Sequence, residues 1–217
     1  MNVQRAACAT CLRPVATCIC RWIRPLHSGP AVLILQHPLE VANAKNSARL
    51  LHLCLPGSVL AVGETFAATS LDALLDGPRR PVLLYPDTPG DRSLGIAPPP
   101  QFDAAWAHDP TSLLLVVLDA TWRKSRKMLY LNPALQVLPR LALRDVPDSH
   151  YLIRKAHAPG QLSTLEATAH ALAQLDGEEG RYAPLIDAFD GFVAQMQAQA
   201  SVGQKTGDRH FIRAAPE

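Results

Sequence analysis

The stretch from Ser112 to Leu118 is the most apolar run in the chain, and after its first residue it contains only leucine and valine. A short run that is apolar on both faces, rather than alternating, belongs in the middle of a sheet covered by helices on each side. It predicts a central strand. The run ends on a carboxylate, Asp119, followed by Ala120, Thr121 and Trp122.

The flanking segments repeat the theme. Ala31 to Leu35 reads as a buried strand that exits at Gln36-His37-Pro38, where a proline cannot donate to the ladder. Ser58 to Val62 and Pro81 to Tyr85 are further strand candidates, the latter exiting at Pro86. Residues 135–144 suggest a short strand or extended segment. Helical spacing predicts a helix over Asn43 to Leu55, with Ala44, Ala48, Leu51 and Leu55 on one stripe. A turn of helix is expected at Leu71 to Leu75, and longer helices at Thr121 to Leu131, from Leu162-Ser163-Thr164 to about Leu175, and at Pro184 to Gln199. Asp87 to Asp103, rich in proline, reads as a loop long enough to be functional. Strands alternating with helices give an α/β fold with a mainly parallel sheet. Ligands of such sheets bind beyond the carboxyl ends of the strands. Three exits come into view: Gln36-His37, Tyr85-Pro86, and Asp119 to Trp122.

The chain has 217 residues, 48% of them apolar, enough for one compact domain and a small appendage. The expected division is a cysteine-rich knuckle over 1–24, a catalytic domain over 25–200 and a polar tail over 201–217. No apolar run approaches the roughly 20 residues that span a bilayer, and the first residues lack a signal-peptide stretch. A soluble, cytoplasmic protein with no membrane partner is expected.

Cys8, Cys11, Cys18 and Cys20 are clustered, while Cys54 stands apart as an expected core residue of the first helix. In a reducing compartment four clustered thiols point to a metal. Tetrahedral zinc takes four thiolates, and a two-residue gap lets both cysteines of a knuckle reach one ion. The second pair is spaced more tightly than usual; free structural cysteines and a redox pair are the competing readings.

Asp119 sits where a pocket should lie, and can accept a proton or hold an ammonium group there. It can equally serve, with Thr121, as a helix N-cap at the strand–helix junction. Trp122 is read as core, with a base-stacking surface as the alternative. Ser163 and Glu166 fit a capping box at a helix start, a site that also suits an anionic group. His37 reads as structural before catalytic. No Gly-x-Gly-x-x-Gly run or Walker-type phosphate loop is present. The net charge of +2 decides nothing about nucleic acid, so clustering carries the argument. Arg21 and Arg24, then Arg123, Lys124, Arg126 and Lys127, then Arg154 and Lys155 form three basic groups suited to phosphates.

In this order the segments resemble the DTW-domain family, named for an Asp-x-Thr-Trp motif matched by Asp119, Thr121 and Trp122. The clustered cysteines, His37-Pro38-x-Glu40, Asn46-Ser47, Tyr85-Pro86 and the Leu162 to Ala167 segment are matched as well; Ser47 stands where the family has threonine, keeping the hydroxyl. The resemblance implies a SPOUT-like sheet with a C-terminal knot and a structural zinc knuckle. It implies transfer of the 3-amino-3-carboxypropyl group of S-adenosylmethionine to N3 of a tRNA uridine, at position 47, releasing 5′-methylthioadenosine. Asp119, Thr121 and Trp122 would be catalytic. His37, Tyr85, Pro86, Asp119, Ala120, Leu162, Ser163, Thr164 and Glu166 would surround the donor. Arg21, Arg24, Lys45, Arg49, Arg123, Lys124, Arg126, Lys127, Arg154 and Lys155 would meet tRNA. A SPOUT-type RNA methyltransferase and a non-catalytic zinc-containing RNA-binding module are the rival readings. Monomer and dimer are both compatible with the resemblance.

Overall fold

The computed structural model describes residues 6–87, 95–144, 149 and 162–207. Five strands alternate with helices. In chain order they are β1 (Ala31–Gln36), α1 (Pro38–Val41), α2 (Ala48–Cys54), β2 (Val59–Val62), α3 (Ala68–Leu75) and β3 (Arg80–Leu84). There follow β4 (Leu113–Asp119), α4 (Trp122–Leu131), α5 (Pro133–Gln136), β5 (Arg140–Leu141), α6 (Thr164–Asp176) and α7 (Ala183–Gly207). The sheet order is β2-β1-β4-β3-β5, and every pairing is parallel. All carboxyl ends therefore share one edge of the sheet. The register sets Gln36 of β1 directly beside Asp119 of β4.

The apolar run is the central strand, as expected. Leu113, Leu115 and Val117 pack into one core with Val32 and Ile34 of β1 and with α2, α6 and α7. Val116, Leu33, Leu35 and Leu83 face the other way, into a second core with Leu71 of α3, Met128 and Leu129 of α4 and Leu135 of α5. The period-two alternation of a strand is thus spent on two helical layers.

Several boundaries move. The helix expected over Asn43 to Leu55 starts only at Ala48. Pro38 ends β1 and opens a single helical turn instead, because its missing N–H costs nothing at a helix start. The His37 Nδ1 atom accepts the Leu39 N–H at 3.1 Å and caps that turn. Asn46 then accepts the Ala48 N–H at 3.0 Å, fixing the entry into α2. Of residues 135–144, only Arg140 and Leu141 are strand, since α5 takes the start. The last helix runs past the expected end at Gln199 and beyond Ser201 to Gly207. Residues 88–94 of the long loop, the chain path over 150–161 on which a knot depends, and 208–217 of the tail lie outside the described residues.

The N-terminal knuckle docks on α2 and α7. Arg13 donates to the carbonyls of Ala44 and Asn46 at 2.8 and 2.9 Å, and Arg49 donates to that of Thr10 at 2.7 Å. Trp22 lies over Gly191 of α7, where a Cβ would collide with the indole ring. The Trp22 Nε1–H donates to Gln195 at 2.7 Å, and Gln195 donates in turn to the Cys18 carbonyl at 3.1 Å.

Candidate active site and metal centre

At the carboxyl edge of the sheet, the Asp119 side chain is buried, with 3% of the residue exposed. Among the described residues, three side chains from three separate segments donate to it. Gln36 Nε2, at the end of β1, reaches Oδ2 at 2.9 Å, and Asn46 Nδ2, ahead of α2, reaches the same oxygen at 2.6 Å. The Thr164 hydroxyl, in the first turn of α6, reaches Oδ1 at 2.7 Å. Gln36 also donates to Asn46 Oδ1 at 3.2 Å, and the His37 N–H donates to the Asp119 carbonyl at 3.0 Å. Burial pushes the Asp119 carboxyl above the ordinary carboxylate value; the three donors act against that rise, and the charge of Glu40 adds to it. The N-cap reading falls to Thr121, which holds the cap position of α4 with no side-chain cap bond, while Asp119 is engaged elsewhere.

The capping box is present. Ser163 Oγ accepts the Glu166 N–H at 3.2 Å, and a Glu166 carboxylate oxygen accepts the Ser163 N–H at 2.7 Å. Ser149 donates to both oxygens of the same carboxylate at 3.0 and 2.9 Å. Ser47 accepts the Leu165 N–H at 3.2 Å, so the hydroxyl of the Asn46-Ser47 pair ties α2 to the start of α6.

His37 is committed within the fold. With Nδ1 accepting, the hydrogen-bond pattern assigns the ring proton to Nε2, 3.0 Å from Glu64 Oε1. The other Glu64 oxygen pairs with Lys127 at 3.0 Å. Lys127 first and His37 second hold the Glu64 carboxyl below its ordinary value. Lys124, read from sequence as a phosphate contact, instead meets buried Glu40 at 2.8 Å, while Asn43 donates to the second Glu40 oxygen at 2.9 Å. Glu64 escaped the sequence reading because it lies on an unremarkable loop between β2 and α3.

Trp122 is not core: 47% of it is exposed, and it stacks on Tyr85 with ring centroids 5.2 Å apart and planes at 22°. The Arg140 guanidinium lies over Tyr85 at 5.1 Å. These residues line a cleft of about 1100 Å³ with Phe102, Leu141 and Gln174. That is just above the ~300–1,000 Å³ typical of ligand sites. Pro86 and Ala120 flank the same two strand exits, Pro86 exposed and Ala120 half-buried. Arg123, Arg126 and Lys127 line a separate groove of about 500 Å³ with Trp122 and Tyr130. On the knuckle, Arg21 lies over the Trp22 ring at 4.6 Å and Arg24 donates to the Arg21 and Ile23 carbonyls, both at 3.0 Å. Lys45 is exposed. Arg154 and Lys155 lie outside the described residues.

The four knuckle cysteines come together, with all sulfurs within 4.8 Å of one another. Cys8 and Cys20 are 3.6 Å apart, and Cys11 and Cys18 3.7 Å. A tetrahedron with Zn–S bonds of ~2.3 Å has sulfur–sulfur edges of roughly 3.8 Å, so the donor set fits one tetrahedral ion. The backbone N–H groups of Cys11 and then Thr10 lower the Cys8 thiol to about 6, whereas burial first and the neighbouring thiols next push Cys20 up to about 12; the charge of a bound cation is what would favour all four thiolates. Cys54 is buried in α2, as expected.

The DTW domain is matched over residues 5–197. The tRNA-uridine aminocarboxypropyltransferase 2 of Drosophila melanogaster is 34% identical over 181 residues, covering 80% of this chain and 68% of that protein. The mouse (Mus musculus) protein of the same name is 28% identical over 179 residues, covering 80% of this chain and 57% of its own length. tRNA-uridine aminocarboxypropyltransferase A of Arabidopsis thaliana is 24% identical over 200 residues, covering 81% and 75%. The chain thus spans from just over half to three quarters of the length of these relatives. No solved structure matches this chain.

Proposed function

Because the chain belongs to the DTW-domain family, we propose that it transfers the 3-amino-3-carboxypropyl group of S-adenosylmethionine to N3 of a tRNA uridine, at position 47 of the variable loop. The donor supplies an electrophilic carbon already activated by its sulfonium. A bond forms between uridine N3 and that carbon, the carbon–sulfur bond breaks with its electron pair going to sulfur, and 5′-methylthioadenosine leaves. The chain's own residues must then align the two reactants and accept the N3 proton.

Asp119 is our assignment for that proton, and the donor's ammonium group is the other partner it can hold. Both roles require the ionised carboxylate. Hydrogen bonds from Gln36, Asn46 and Thr164 favour that form against the burial that opposes it. This buried, triply held carboxylate at the carboxyl edge of a parallel sheet is the observation that carries the reading. Thr121 shapes the turn between β4 and α4. Tyr85, Trp122 and the cleft beside them receive the donor, with the end of α6 at Gln174 and Leu175 closing one side; the start of α6, Leu162 to Glu166, meets the donor beside Asp119, to which Thr164 is bonded. The knuckle binds one structural zinc through Cys8, Cys11, Cys18 and Cys20, and the protein works in the cytoplasm.

Donor labelled separately in its methyl and aminocarboxypropyl groups tests the reaction. Aminocarboxypropyl label in tRNA is the expected result; methyl label would establish the methyltransferase instead. tRNA binding with neither label transferred would leave an RNA-binding module. For the knuckle, about one zinc per purified chain is expected, and a metal-free protein with a folded N-terminus would refute the zinc.

A further inference from the structure

Helix α4 divides its surface sharply. Ser125, Met128 and Leu129 are buried and hold it to the sheet. At ~100° per residue, Trp122, Arg126, Tyr130, Arg123 and Lys127 fall within an arc of roughly 140° on the outward side. All five line the groove of about 500 Å³. Tyr130 is 56% exposed and Trp122 47%, unusual for rings this large in a field of cations. Eight residues at ~1.5 Å each set the two rings roughly 12 Å apart along the axis, too far to touch one another and suited to two different bases. Glu64 balances Lys127 at the edge of this face, and Arg123 and Arg126 lie between the rings.

We propose that the outward face of α4 is a stacking surface for unpaired RNA bases, with Tyr130 and Trp122 as its platforms and Arg123, Arg126 and Lys127 meeting the phosphates between them. Aromatic rings interleaved with cations recognise single strands, because every base has a π-face and every linkage a charge. A duplex offers the charges but not the faces. Trp122 also lines the cleft assigned above to the donor, so a strand laid along α4 leads its bases toward that cleft. The identification of the RNA as tRNA rests on the proposed activity; the surface itself does not.

The test uses the full chain and no donor: affinity for a short single-stranded oligouridylate and for a duplex RNA of equal charge, at fixed salt. Tyr130→Ala should weaken the single strand roughly five- to 150-fold, the range for losing one stacked base. Tyr130→Phe should restore it, and duplex affinity should be weaker and indifferent to both variants. Tyr130→Ala binding the single strand within twofold of wild type, or Tyr130→Phe binding as poorly as the alanine variant, would overturn the proposal. So would competition by poly-glutamate as strong as by RNA, which would make this a surface for acidic protein. If wild type makes no modified uridine yet Tyr130→Ala loses affinity, the activity fails and the surface stands. If wild type makes the modified uridine and Tyr130→Ala keeps its affinity, the activity stands and the surface fails.

Discussion

Removing the Asp119 carboxylate by different substitutions should separate its chemistry from its structural role. Asp119→Ala takes away the acceptor of three hydrogen bonds and leaves the Gln36 and Asn46 amides pointing into a buried void. A buried donor left unsatisfied costs about 1–3 kcal/mol, so the two amides together cost about 2–6 kcal/mol. The Thr164 hydroxyl can turn to another acceptor and is left out of that sum. At ~2–4 °C per kcal/mol for a chain of this size, the melting temperature should fall by roughly 4–24 °C. Asp119→Ala should therefore lose stability as well as transfer, and lost product alone does not isolate the chemistry. Asp119→Asn is the informative variant. Its oxygen can replace Oδ2 for the two amides, and its NH₂ can donate to Thr164, whose hydroxyl then accepts. Loss of the charge-assisted bonds is offset by no longer burying a charge. It should melt within a few degrees of wild type and make no product. Thermal unfolding by circular dichroism, with nucleoside mass spectrometry of the treated tRNA, reads both. An alanine variant as stable as wild type would refute the network, and an asparagine variant with full transfer would refute the role of the charge.

The pH dependence follows from the direction of the Asp119 shift. A carboxyl raised in the folded state binds its proton more tightly there than in the unfolded chain. Its contribution to stability is present at low pH and lost as pH rises through the folded value. Transfer needs the ionised form, so kcat/KM should rise with pH along a limb above the ordinary carboxylate range. Thr164→Val, which removes a donor to the carboxylate, should move that limb further up; an unmoved limb would detach Thr164 from the base. Lys124→Ala should cost about 2–4 kcal/mol by stranding buried Glu40, somewhat below a fully buried pair because 23% of the Lys124 side chain is exposed. Arg123→Ala should leave the melting temperature unchanged and reduce the salt dependence of tRNA binding, and equal melting of the two variants would contradict the pairing. Gly191→Ala sets two effects in opposition. Alanine favours a helix interior by ~1 kcal/mol, but its Cβ would enter the Trp22 ring, and overpacking costs about 1–3 kcal/mol. A lower melting temperature is expected, and a higher one would show that the knuckle does not pack there.

What sequence could show was whatever depends on near neighbours. The apolar run to Leu118 identified the central strand because burial on both faces leaves no polar alternation. Ser163 and Glu166 identified a helix start because a capping box closes within four residues. The cysteine spacing anticipated the cluster of sulfurs for the same reason. The partners of Asp119 were different. Gln36 and Asn46 lie 83 and 73 positions away, and only the parallel register of β1 with β4 brings them in. Lys124 was assigned to phosphates because Glu40, 84 positions earlier, carries no local sign that it will be buried. For Trp122 the local pattern favours core over a base-stacking surface. Its neighbours Ser125, Met128 and Leu129 take the inward face of α4, which turns the indole outward onto Tyr85.

On the function proposed, this chain places an aminocarboxypropyl group on a tRNA uridine. Mass spectrometry of tRNA nucleosides from cells with and without the protein tests it most directly. The expected result is that 3-(3-amino-3-carboxypropyl)uridine is lost without the protein and restored by wild type but not by Asp119→Asn. Unchanged levels of that nucleoside in the absence of the protein, with a methylated uridine lost in its place, would contradict it.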